Sequence, residues 1–121
     1  MAGIQEFLQK YQESLKASQW QQDGYYKHPY PVSKLASNLF AKALHNKIGV
    51  KGFFTFAACP DLVKTNLSKM RTRSLEEGAE TPLWLCTEAG EDYCGRLVKD
   101  RKICGYKLTD QRLSLVTASI T

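Results

Sequence analysis

The sequence contains no C-x-x-C pair, and its histidines are limited to His28 and His45. Cys59, Cys86, Cys94 and Cys104 therefore lack the spacing of zinc ligands. No apolar run approaches the roughly 18 residues that a membrane-spanning helix needs. Residues 1–6 show no basic stretch leading into an apolar one, so no export signal is expected. The thiols are accordingly read as reduced, in a cytoplasmic protein. The formal charge is +5, yet the basic residues are scattered and densest only at Lys99, Arg101 and Lys102. Nucleic-acid binders concentrate such charge on one face or stripe. The expectation is no membrane, no nucleic acid and no metal. The positive balance suits a basic pocket for a phosphorylated cofactor.

What is present is an ordinary globular composition. Of 121 residues, 43% are hydrophobic and 24% charged, which suits one domain. Ile4, Phe7, Leu8, Tyr11 and Leu15 recur at three- and four-residue steps and predict an amphipathic helix over 3–17. A polar, aromatic linker follows, with a turn at Asp23-Gly24. A second helix is expected over 30–46, with Pro31 in its first turn. Leu35, Ala36, Leu39, Phe40, Ala43 and Leu44 give it a wide apolar face. Phe53 to Cys59 is apolar without alternation, so a strand over 51–59 is expected to be buried on both faces of a parallel sheet. Ser74-Leu75-Glu76-Glu77 reads as a capping box opening a helix over 74–87, which would bury Leu75, Ala79, Leu83 and Trp84. A short strand over 93–98 and a divergent tail over 110–121 complete the chain. Helix, helix, strand, helix, strand argues for an α/β unit. Two strands are too few for such a sheet, which implies a missing neighbour.

Tyr30 and Lys34 are four residues apart and so lie on one helix face. An ammonium beside a phenol favours the phenol's charged form. A tyrosine in that setting can give a proton to a carbonyl oxygen as hydride reaches the carbon. The pair alone reads more readily as an amphipathic helix start bearing a solvated lysine.

The surrounding residues add a resemblance. Tyr30-Pro31-Val32-Ser33-Lys34-Leu35-Ala36-Ser37-Asn38 resembles the catalytic helix of short-chain dehydrogenases, which show Y-x-x-S/T-K, then a strand, then a P-G-x-V-x-T turn. Here Pro60-Asp61-Leu62-Val63-Lys64-Thr65 follows the strand. Residues 74–82 look like the late helix of the carbonyl-reductase type, and the helix and linker before Tyr30 are similar to its insertion. The resemblance implies that residues 1–109 are the C-terminal half of a Rossmann-like, doubly wound parallel sheet. Tyr30 would be the general acid and base, and Lys34 would hold the nicotinamide ribose of NADPH. Pro60, Val63 and Thr65 would line the nicotinamide, against the plainer roles of a core contact for Val63 and a turn hydroxyl for Thr65. Phe7, Leu8 and Tyr11 are candidates to cover Leu35 and Leu39. The implied reaction is reduction of small-molecule aldehydes, ketones or quinones.

Two departures stand out. Asp61 occupies the position of the family's glycine, and no glycine-rich turn for a pyrophosphate is present. The serine that polarises the substrate carbonyl is expected upstream of these residues. The chain is therefore expected to be truncated and inactive alone. The competing expectation is a non-catalytic fragment whose open sheet edge pairs with a full-length relative.

Overall fold

A computed structural model of the chain describes residues 2–105, so the tail over 110–121 lies outside the described residues. Helices α1 (Ala2–Lys16), α2 (Pro29–Ile48) and α3 (Leu75–Thr87) accompany three short strands, β1 (Ala57–Ala58), β2 (Leu97–Lys99) and β3 (Lys102–Cys104). No helix among the described residues is long and apolar enough to cross a membrane.

The apolar spacing of the first two helices produces the core. Ile4, Phe7 and Tyr11 form one face of α1, and they pack with Val32, Leu35, Ala36, Leu39 and Ala43 of α2. Leu8 packs against the same cluster. The expected cover of Leu35 and Leu39 by Phe7, Leu8 and Tyr11 is thus present. The linker contributes more than expected, because Tyr25 is buried in this core. Its ring stands edge-on to Tyr11 at 5.3 Å and tilted to Phe7 at 6.0 Å. Gly24, at φ 71°, turns the chain so that Tyr25 can enter. Phe40 of the predicted apolar face is instead exposed, while Ala41 is buried.

The sheet has the order β1-β2-β3. β1 runs parallel to β2, with Ala57 opposite Leu97 and Ala58 opposite Val98. β2 and β3 are antiparallel, so the sheet is mixed rather than all-parallel. Asp100 and Arg101 link them with φ values of 51° and 59°. Positive φ at both central residues is the primed two-residue hairpin turn that suits the twist of antiparallel strands. α2 lies on the sheet through the Thr55 hydroxyl, which donates to the Ala41 carbonyl at 2.9 Å.

The strands are shorter than expected. The run over 51–59 yields only Ala57–Ala58 as strand, and Phe53 and Phe54 remain 47% and 41% exposed. One edge is bonded, from Gly95 N–H to Thr55 O through Cys59 N–H to Val98 O. β1 has no strand on its other edge among the described residues, and Phe53 and Phe54 lie outside it, in the segment that leads into it. The strand expected over 93–98 begins only at Leu97, because Glu91–Tyr93 forms a 3-10 turn and Gly95 has φ 65°.

The capping box of α3 is present in both directions, the Ser74 hydroxyl accepting from Glu77 N–H and the Glu77 carboxylate from Ser74 N–H. Its buried face differs from the expected one. Gly78, Thr81 and Leu85 point inward, whereas Leu75 and Leu83 are 61% and 64% exposed. α3 instead turns its glycine toward Val63, whose methyl groups occupy the space that a Cβ at position 78 would need.

Candidate active site

The first turn of α2 is built by His28, Pro29 and Pro31. The His28 Nδ1 accepts from the Tyr30 N–H at 3.3 Å, satisfying a donor left free at the helix start. Both prolines sit where a missing N–H does no harm. Tyr30 is 61% exposed. The Lys34 ammonium lies over its ring, 5.5 Å from the centroid, within the range of a cation–π contact. The four-residue spacing therefore places phenol and ammonium together, with the charge above the ring face. The Ser33 hydroxyl is engaged elsewhere, donating to the Tyr30 carbonyl at 2.8 Å.

Lys34 also lines a cleft of about 500 Å³ between α2 and the sheet. Leu35, Asn38, Cys59, Leu97 and Lys99 share its wall. The volume is within the range of small-molecule sites, and a mostly apolar wall with few charged groups is their usual make-up. Of the predicted site residues, Lys34 is in this wall; Tyr30, Pro60, Val63 and Thr65 are not.

Those last three occupy the turn that leaves β1. Val63 makes an isolated parallel bridge with Arg73 and faces Gly78. The Thr65 hydroxyl accepts from the Ser68 N–H at 3.1 Å, closing a local turn. Asp61 adopts the left-handed conformation, φ 65°, that a glycine would reach freely. Its carboxylate meets the Lys99 ammonium at 2.9 Å and the Arg73 guanidinium at 3.4 Å. The hydrogen bond from Lys99 holds the Asp61 carboxyl below its ordinary range, and the same bond raises Lys99. Arg73 in turn holds the Asp100 carboxylate at 2.6 Å and lowers it likewise. The charge of Asp61 is thus matched by two cations.

Lys99 escaped the sequence reading as a site residue. Its only signal was membership of the basic cluster with Arg101 and Lys102, and the structure divides that cluster. Lys99 pairs with Asp61, whereas the Arg101 guanidinium lies over the Trp84 ring at 5.8 Å. The four cysteines are free thiols, with Cys59 and Cys104 both at the cleft.

No protein-family profile matches the chain. Individual relatives do. Human carbonyl reductase [NADPH] 3 is 34% identical over 106 residues, which is 81% of this chain and 38% of that protein. Rat carbonyl reductase [NADPH] 3 is 31% identical over the same span. Rat carbonyl reductase [NADPH] 1 is 29% identical over 103 residues, covering 79% of this chain and 37% of the relative. The chain thus spans somewhat over a third of the length of the curated relatives it matches, in their C-terminal portion. With Tyr30 and Lys34 stacked at the head of α2, and with these likenesses along most of its length, the chain is a relative of the proteins named carbonyl reductase [NADPH] 1 and 3.

Proposed function

We propose that this chain supplies the proton-donating part of an NADPH-dependent carbonyl reductase. The observation that carries the reading is the Lys34 ammonium over the Tyr30 ring at the start of α2, beside an apolar cleft. In this reading the exposed Tyr30 gives its hydroxyl proton to the oxygen of an aldehyde, ketone or quinone. Lys34 orients the phenol and offers its N–H groups to a ribose hydroxyl.

The residues fit one end of the cofactor. An ammonium at Lys34 and apolar groups at Pro31, Leu35 and Leu97 suit a ribose and an uncharged ring. The turn from Pro60 through Val63 to Thr65 would close over the carboxamide side. The bound cofactor would supply hydride to the carbonyl carbon. Its pyrophosphate finds no glycine-rich turn in this sequence, so these 121 residues by themselves are proposed to turn over nothing. The free thiols suit a cytoplasmic, reducing setting.

The test is a chimera in which this chain replaces the matching portion of human carbonyl reductase [NADPH] 3. NADPH oxidation with a quinone substrate is expected, and Tyr30→Phe should lower it by roughly 10²- to 10⁴-fold. Turnover indifferent to Tyr30 would remove the reading. Clear Tyr30-dependent turnover by the 121-residue chain alone would instead refute its inactivity.

A second reading is favoured by the edge of β1 that pairs with no strand among the described residues, preceded by the half-exposed Phe53 and Phe54. Such an edge pairs readily with another strand, and a full-length relative is the proposed partner. Co-expression should then yield a stoichiometric complex; a stable monomer under those conditions speaks against it.

A further inference from the structure

Asp61 holds a conformation that costs a residue with a Cβ some free energy, and glycine none. A side chain retained there invites the question of what it binds. Its carboxylate takes Lys99 from β2 at 2.9 Å and Arg73 from the lead-in to α3 at 3.4 Å. Arg73 then reaches Asp100, in the hairpin turn, at 2.6 Å. Charges of alternating sign thus join three segments: the turn after β1, the approach to α3, and the β2–β3 hairpin. The side chains are 28% to 46% exposed, so solvent screens this row of charges only in part.

The backbone of the same region is joined by few bonds. The Lys64 N–H donates to the Arg73 carbonyl at 2.8 Å, and the Thr72 and Arg73 N–H groups share the Leu62 carbonyl at 3.1 Å. Thr65 and Ser68 bond to each other, and Arg71 Nε donates to the Ser68 hydroxyl at 2.8 Å, all within the loop itself. Leu67 and Met70 are fully exposed, so apolar burial does little to hold this loop.

We propose that Asp61, Lys99, Arg73 and Asp100 form an electrostatic latch that fastens the Pro60–Thr65 turn to the β2–β3 hairpin. Asp61 is then a positioning residue, acting through Lys99 and Arg73. The latch also fixes the Lys99 ammonium at the cleft wall, where Lys34 and Cys59 stand. Other charged or titratable groups face its members: Glu77 toward Arg73, Lys102 toward Asp100, and Cys59 toward Lys99. The importance of this turn for a cofactor rests on the reading above, but the latch itself does not.

Amide hydrogen exchange on the full chain tests it, at low and high ionic strength. Asp61→Asn isolates the charge, since asparagine tolerates the left-handed conformation. Lys99→Met removes the partner from the other side. At low salt each variant should speed exchange at Lys64 and Arg73 about two- to fivefold, the range of a partly exposed ion pair. Leu39, in the core of α2, should be unmoved. The double variant should add little to either single one, because the two residues act as a unit. High salt should bring the original chain close to the variants. Equal exchange at Lys64 and Arg73 in Asp61→Asn and the original chain would overturn the latch. So would an acceleration shared by Leu39, which would signal general loosening. Neither outcome depends on NADPH turnover in the chimera, so the latch and the reductase reading fail separately.

Discussion

Val63 lies directly against Gly78: a Cβ at position 78 would fall inside the space of the Val63 methyl groups. The turn after β1 is thereby seated on α3, and the helix face that does the seating is fixed by one missing side chain. Gly78→Ala should therefore destabilise the fold despite alanine's better helix propensity. The propensity gain is about 1 kcal/mol. Overpacking against a stiff β-branched side chain costs about 1 to 3 kcal/mol. A net loss of about 1 kcal/mol in urea unfolding is expected, and adding Val63→Ala should recover part of it. A gain in stability from Gly78→Ala alone would show that Val63 can simply withdraw.

The capping box makes a second prediction. Ser74 and Glu77 each satisfy the other's backbone N–H, at 3.1 Å and 2.7 Å. Ser74→Ala leaves the Glu77 N–H unpaired and should cost about 1 kcal/mol. Ser74→Asn, which caps as well as serine, should restore most of it. Circular dichroism during urea unfolding would follow both.

Local features were legible in the sequence, and features set by distant partners were not. The spacing of Ile4, Phe7 and Tyr11 and of Leu35 and Leu39 fixed both helices and their contact, because amphipathic periodicity is written residue by residue. Ser74 and Glu77 announced the start of α3 in the same way. The extent of β1 depended on how much of Phe53 to Cys59 finds a partner strand, which no local pattern records. β3 went unseen because its turn, Asp100-Arg101, lacks the glycine that usually marks a primed hairpin. The inward face of α3 was misjudged because Leu75 and Leu83 carry more apolar surface than Gly78, yet close approach of Val63 decided the orientation. At the candidate site, the Tyr30–Lys34 spacing was readable. The pairing of Asp61 with Lys99 was not, since only the parallel register of β1 and β2 brings those residues together.

A third prediction concerns the contact between α1 and α2. Phe7 is buried between Tyr25 and the α2 face, so Phe7→Ala should cost about 3 to 5 kcal/mol. For a chain of this size that is a large share of the total stability. The companion variant Tyr11→Phe removes only the hydroxyl, which donates to the Lys27 carbonyl at a long 3.3 Å. It should cost about 1 kcal/mol or less. Burial raises the Tyr11 hydroxyl above its ordinary range, so this tyrosine should resist ionisation in an alkaline ultraviolet titration until the fold itself gives way.

The acid limb of the stability curve carries the last prediction. Asp61 and Asp100 are both held below their ordinary value of 3.8, each chiefly by a hydrogen bond from its cation, Lys99 or Arg73. A carboxyl lowered by folding stabilises the native state at pH above its unfolded value. That contribution fades as pH falls through the lowered folded value. The urea midpoint of the original chain should therefore drop as pH falls below the ordinary aspartate value of 3.8. In Asp61→Asn the drop should be shallower, because one linked carboxyl is gone. Glu6 and Glu76 are lowered too, the first by Lys10 and the second by hydrogen bonds from its own backbone N–H and the Ser74 hydroxyl, and they leave a residual slope that the substitution does not touch. At the alkaline end the sign reverses. Lys99 is raised by Asp61, so its contribution is present below the usual lysine range and lost as pH climbs through the raised value. Identical acid limbs in the original chain and Asp61→Asn would mean that the Asp61 carboxylate does not sense its two cations in solution.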